Sequence, residues 1–160
     1  MLILAWYKKL ERNFNVPLFF LVFVIDLSFH LVVSRVITHY DPEILEIFDD
    51  NTPLVEIFLL SILFGPIIET FLFQYLIIRI LYTFKKIKIN AIIFISALAF
   101  SLTHYYNFTY ILVTFISGII YASYYVYLKE EGRKNPFLYI WVLHTLYNSS
   151  VFILADVLQL

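Results

Sequence analysis

The chain has 160 residues, of which 62% are hydrophobic and 20% aromatic, while only 14% are charged and the formal net charge is −1. Average soluble domains carry about 25% charged residues, and one of this length has too small an interior to hide so much apolar surface. Composition therefore excludes a soluble globular enzyme, a disordered chain and a nucleic-acid binder. What remains is an all-α, polytopic membrane helical bundle, a single integral membrane domain over residues 1–160 in contact with the lipid bilayer. The absence of cysteine removes disulfide, iron–sulfur and thiolate chemistry.

In chain order, Met1 to Trp6 are apolar but run into Lys8, Lys9 and Arg12 without a small-residue cleavage site, so no removable signal peptide is expected. The first span is read at about 17–38. It carries Asp26 and His30, spaced i,i+4, which are assigned to structure, pairing with each other or lining a pocket. A loop from Asp41 to Pro53 follows, with five acids. The second span, about 54–84, would be roughly 46 Å long as a helix, against a hydrocarbon core of about 30 Å. It must tilt, kink or project, and Gly65-Pro66 is the expected kink. The third, fourth and fifth spans are read at about 89–106, 109–128 and 137–155. In this five-span count nine of the eleven basic residues fall on one side: Lys8, Lys9 and Arg12, then Lys85, Lys86 and Lys88, then Lys129, Arg133 and Lys134. The positive-inside rule then places the N-terminus in the cytoplasm. The expected location is the plasma (cell inner) membrane.

Ionisable residues deep in a span are costly and need a partner or a task. Glu69 lies 16 residues from Lys85, and His104 lies 16 residues from Lys88, each about 24 Å of helix. His144 and Asn148 lie 10 and 14 residues from Lys134, about 15 and 21 Å. Three helices thus bring polar groups to similar depth, as around one water-filled pocket. His144 and Asn148 are i,i+4, as are Phe100 and His104, so a ring can wall that histidine, and so are Thr70 and Gln74. A carboxylate and an imidazole sharing a water can take its proton and aim it. A second imidazole with an amide can donate to an oxyanion as a carbonyl becomes tetrahedral. Glu69 with His104 fits the first role, and His144 with Asn148 the second. Amide hydrolysis needs both. No serine or threonine has an obvious base, which disfavours an acyl-enzyme route.

Glu69-Thr-Phe-Leu-Phe-Gln74, Phe100-Ser-Leu-Thr-His104 and His144-Thr-Leu-Tyr-Asn148 together resemble the three motifs of the CAAX prenyl protease / bacteriocin-processing (CPBP, or ABI) family of intramembrane proteases. Those motifs are E-E-x-x-x-R, F-x-x-x-H and H-x-x-x-N, in that order on three helices. The resemblance spans about residues 54–155. It implies that Glu69 is the base that activates water, that His104 helps to hold that water, and that His144 and Asn148 stabilise the oxyanion. It also implies a metal-free, glutamate-type site opening into the membrane interior, with no cofactor, acting on a membrane-associated peptide or protein. Two positions depart from the family: Thr70 replaces the second glutamate and Gln74 the arginine. Both charges are lost together, and replacing both partners of a buried ion pair can be neutral where losing one is not. Thr70 and Gln74 are expected to keep a supporting hydrogen bond beside the site. Two alternatives stand beside the peptidase. One is the same site holding a divalent metal such as zinc on Glu69, His104 and His144. The other is a non-catalytic membrane immunity or scaffold protein that retains the pocket.

Overall fold

The computed structural model describes residues 2–14, 17–41, 44, 48 and 51–154. Four of the five acids in the loop before Pro53, and the expected end of the fifth span at Ala155, lie outside the described residues. Six helices are described: α1 (Leu2–Asn13), α2 (Leu18–Tyr40), α3 (Leu54–Thr83), α4 (Ile89–Leu102), α5 (Phe108–Glu130) and α6 (Pro136–Phe152). No strand occurs among the described residues. The chain is an all-α, polytopic membrane bundle.

Three of these helices, α2, α3 and α5, are long and apolar enough to cross a membrane. Helix α4 has only 14 residues, about 21 Å of rise, and α6 has 17. The third span therefore stops short of the expected Tyr106. Thr103 and His104 close the helix by hydrogen bonds from their amides to the carbonyls of Phe100 and Ser101, at 3.3 and 3.0 Å. Asn107 then caps α5, its Oδ1 accepting from the Tyr110 amide at 2.8 Å. The chain reverses between α5 and α6 through Gly132 and Asn135, both in the left-handed region, and Pro136 starts α6.

Helix α5 is the axis of the bundle. From Tyr121 to Leu128 every residue is buried. It packs most closely on α4, where Gly118 crosses Ala97: a Cβ on Gly118 would sit 2.9 Å from the Ala97 Cα. Backbone contact of this kind needs a small residue. Helix α6 packs against α2, α3 and α5. The outer faces are apolar, with Phe20, Val24 and Val32 of α2, Leu60, Ile68 and Phe71 of α3 and Phe94 of α4 exposed. Such a surface suits acyl chains and not water.

Helix α1 is not a span and was not anticipated as an element. Its aromatic residue Tyr7 is buried against Tyr124 and Tyr127 and shares a 2.9 Å hydrogen bond with Ser123. Lys8 reaches Glu131 at 2.8 Å and Glu11 reaches Arg133 at 2.7 Å. The hydrogen bond of Lys8 to Glu131, and that carboxylate's charge, raise the lysine's pKa above its ordinary value. At the same end Tyr82, just before the Lys85 cluster, donates to Glu130 at 2.9 Å. The three basic clusters thus meet at one end of the bundle.

Helix α3 is not a plain kinked helix. It widens twice into π-helical stretches, Leu59–Phe64 and Thr70–Ile77, with a single α-helical turn, Gly65–Glu69, between them. The cause of the first widening is local. Pro66 has no N–H and cannot sit in an ordinary ladder. The Gly65 amide turns to the Leu60 carbonyl five residues back. At this junction a Cβ on residue 65 would lie 2.6 Å from that same oxygen, so glycine is required.

Candidate active site

Glu69 ends the α-helical turn between the two π-helical stretches. Such insertions recur at functional sites because they rotate side chains out of the regular helical register. The Glu69 carboxylate points between two imidazoles. Its Oε1 is 3.8 Å from Nε2 of His104, and its Oε2 is 3.6 Å from Nε2 of His144. His104 comes from the turn after α4 and His144 from the middle of α6, so three chain segments converge.

Each imidazole is held differently. Nδ1 of His104 donates to the Phe100 carbonyl at 2.9 Å. That bond places a proton on Nδ1, so that in the neutral imidazole Nε2 is the acceptor facing Glu69. The Phe100 ring lies 4.7 Å from the His104 ring and 5.8 Å from the His144 ring, walling both. Tyr110 stacks on the other side of His104 at 5.9 Å. His144 is buried, with the Tyr121 ring 5.0 Å away, and its Nδ1 has no protein partner among the described residues.

Asn148 is placed one turn from His144, and its Nδ2 donates to the Ser61 carbonyl at 2.6 Å. Ser61 lies in the first π-helical stretch, and its i+5 neighbour is Pro66, which has no N–H to offer. The Asn148 amide fills that gap and ties α6 to α3. One of its two N–H bonds is committed there.

Thr70 and Gln74 are fully buried, but neither makes the expected supporting hydrogen bond. Thr70 Oγ1 and both amide atoms of Gln74 have no partner among the described residues. The reason is the second π-helical stretch. An i,i+4 pair that stacks on an α-helix is turned apart where hydrogen bonds run to i+5. Among the described residues no group of three or more His, Cys, Asp or Glu side chains is placed to hold a metal ion, so the metal-bound alternative gains no support from the geometry.

A second polar cluster lies between α2 and α5. Asp26 Oδ2 accepts from Tyr121 at 2.9 Å, and Oδ1 accepts from Ser117 at 3.3 Å. His30 Nε2 is hydrogen-bonded to Ser117 and lies 3.7 Å from Asp26 Oδ1. Asp26 and His30 do face each other, as one of their two sequence readings had it. Ser117 and Tyr121 were missed: no serine has an obvious base in the sequence, yet His30 reaches Ser117 across 87 positions. It makes no nucleophilic triad, however. Serine and aspartate both approach the same imidazole nitrogen, whereas a relay needs one on each.

A polytopic helical bundle with a carboxylate and two imidazoles facing one another in its interior has the framework of a membrane hydrolase. Residues 51–150 match the family described as Type II CAAX prenyl endopeptidase Rce1-like. This is well over half of the chain, and the chain belongs to that CAAX-protease family, as the three motifs had indicated. None of the curated proteins and none of the solved structures matches it.

Proposed function

We propose that the chain is an intramembrane endopeptidase that cleaves a membrane-associated peptide or protein by water activated at Glu69 and His104. One observation carries the reading. Glu69 faces two imidazole nitrogens at 3.6 and 3.8 Å, beyond direct hydrogen bonding but suited to one bridging oxygen. With His104 protonated on Nδ1, both Glu69 Oε1 and His104 Nε2 are acceptors. A water between them gives one O–H to each, which leaves its lone pairs aimed outward.

The reaction then follows from these positions. The water oxygen bonds to the scissile carbonyl carbon as its proton passes to Glu69. The carbonyl oxygen, now anionic, is met by the Nε2–H of His144 and by the remaining N–H of Asn148. The proton held at Glu69 moves to the amide nitrogen as the C–N bond breaks, giving an acid and an amine. Ile67 and Ile68 beside Glu69 line an open apolar groove of about 400 Å³ with Phe71, Leu72 and Phe137. It supports entry of an apolar substrate segment from the membrane side. The convergence of the basic clusters supports five membrane-crossing segments with the N-terminus in the cytoplasm; the proposed location is the plasma (cell inner) membrane.

The test compares peptide termini in membranes of cells expressing the wild type or Glu69→Ala at equal levels. New termini confined to the wild type are the expected result and identify substrates. Identical termini, with both proteins folded, would leave a non-catalytic membrane immunity or scaffold partner.

A further inference from the structure

Six buried side-chain polar atoms have no partner among the described residues: Thr70 Oγ1, Gln74 Oε1 and Nε2, Trp141 Nε1, His144 Nδ1 and Thr145 Oγ1. All six belong to two helices, α3 and α6. The two run antiparallel in a register pinned at three levels. Asn148 meets Ser61, His144 meets Glu69, and the Phe137 ring lies 6.1 Å from Tyr75. Thr70 and Gln74 fall between the last two pins on one helix. Trp141 falls between them on the other, and Thr145 adjoins His144. The unpartnered atoms therefore fall along one stretch of the α3–α6 contact, at the level of the Glu69–His144 pair and, for Thr70, Gln74 and Trp141, on its cytoplasmic side in the five-span reading.

A marginally stable fold does not strand six buried polar atoms along one helix contact. The donors and acceptors are complementary in kind. The Trp141 N–H, the Gln74 amide N–H bonds and two hydroxyls donate, while the Gln74 carbonyl and one imidazole nitrogen accept. They do not reach one another, and the ligand that joins such groups is water, which takes about three hydrogen bonds in protein interiors. We propose that the α3–α6 seam is a water-binding site in which Gln74 and Trp141, through ordered water, donate to Nδ1 of His144 and so hold the imidazole proton on Nε2. That tautomer presents an N–H toward Glu69. The opposite one would turn a second bare nitrogen, beside that of His104, toward the same carboxylate and leave no donor there. Gln74 and Trp141 are thus positioning residues that act through His144. The use made of that N–H rests on the peptidase reading, whereas the tautomer itself does not.

The test is ¹⁵N NMR of the histidine-labelled full chain in lipid nanodiscs. There are four histidines, and the His144 signals are identified by their loss in His144→Asn. The wild type is expected to show a protonated Nε2 and a hydrogen-bonded Nδ1, with magnetisation transfer from water to the Trp141 indole N–H. In Gln74→Leu and Trp141→Phe the Nδ1 resonance should move to its unbonded position or the tautomer should mix. On a cleaved substrate kcat should fall about 10- to 100-fold with KM little changed, as for other residues that orient a functional histidine. An unchanged His144 spectrum in both folded variants would overturn the proposal. So would the absence of water transfer in the wild type, which needs no variant to fold. A spectral response in a chain with no Glu69-dependent cleavage would keep the seam and sink the peptidase. Cleavage without the response would do the reverse.

Discussion

The bundle buries two acid–imidazole clusters of similar composition and opposite construction. Between α2 and α5, both oxygens of Asp26 are hydrogen-bonded by hydroxyl donors, His30 is bonded through Ser117, and the carboxylate is wholly inaccessible. Between α3, α4 and α6, Glu69 faces two imidazoles without a direct hydrogen bond to either, and its side chain keeps 27% of its exposure. A carboxylate saturated by its own neighbours is finished chemistry and serves packing. One held short of its neighbours has room for a reacting oxygen. The difference separates glue from a candidate site more sharply than burial or residue type does.

Exchanging the acids for neutral residues should divide the two clusters cleanly. Glu69→Gln keeps the shape and removes the base. Turnover of a substrate found in the membrane comparison should fall about a thousandfold, while thermal unfolding in detergent should shift little. A Glu69→Gln variant retaining about a tenth of the activity, far above that expectation, would place the base elsewhere. Asp26→Leu should behave in the opposite way. It strands the Tyr121 hydroxyl and leaves Ser117 and His30 bonded only to each other, at a cost of about 2 kcal/mol in stability. Any protein that remains folded should cleave at near the wild-type rate. Loss of activity without loss of stability would show that the saturated cluster takes part in the chemistry.

Helices α4 and α5 cross at Gly118 over Ala97, and Gly118 is next in sequence to Ser117. Gly118→Val would drive a branched side chain into the α4 backbone and should cost about 2 kcal/mol. Since α4 ends at the turn that carries His104, this variant should lower activity as well as stability. A second variant, Ala97→Gly, should restore part of both.

The sequence made some of this legible for definite reasons. Composition alone settled the membrane class, because no soluble fold hides so much apolar surface. Glu69, His104 and His144 stood out because an ionisable group at mid-depth is expensive, and counting from the nearest lysines put them at similar depth. The remainder needed three dimensions. Tyr121 and Ser117 look like ordinary residues of an apolar helix until Asp26 is seen across from them. His104 reads as helical from its i,i+4 spacing to Phe100, yet it lies in the turn beyond α4, and that position frees its Nε2. The i,i+4 pairing of Thr70 with Gln74 failed because both lie in the second π-helical stretch of α3, which the sequence does not announce. Pro66 signalled a disturbance but not its form. The amphipathic α1 was passed over because its apolar run is too short for a span and its partners, Tyr124 and Tyr127, are more than 100 positions away.

Tyr121 touches both clusters, which makes it a fine test of their separation. Its hydroxyl donates to Asp26 at 2.9 Å, and its ring lies 5.0 Å from the His144 ring and 6.2 Å from that of Phe100. Tyr121→Phe removes the first contact and keeps the others. If the hydroxyl serves only the saturated cluster, the variant should lose about 1 kcal/mol of stability, and its kcat should stay within about threefold of wild type. Tyr121→Leu, which also removes the ring, should add a loss of activity through the loosened His144. A tenfold fall in kcat for Tyr121→Phe alone would mean that Asp26 acts on His144 through the phenol. The two clusters would then be one extended site, with the saturated half setting the electrostatics of the open half.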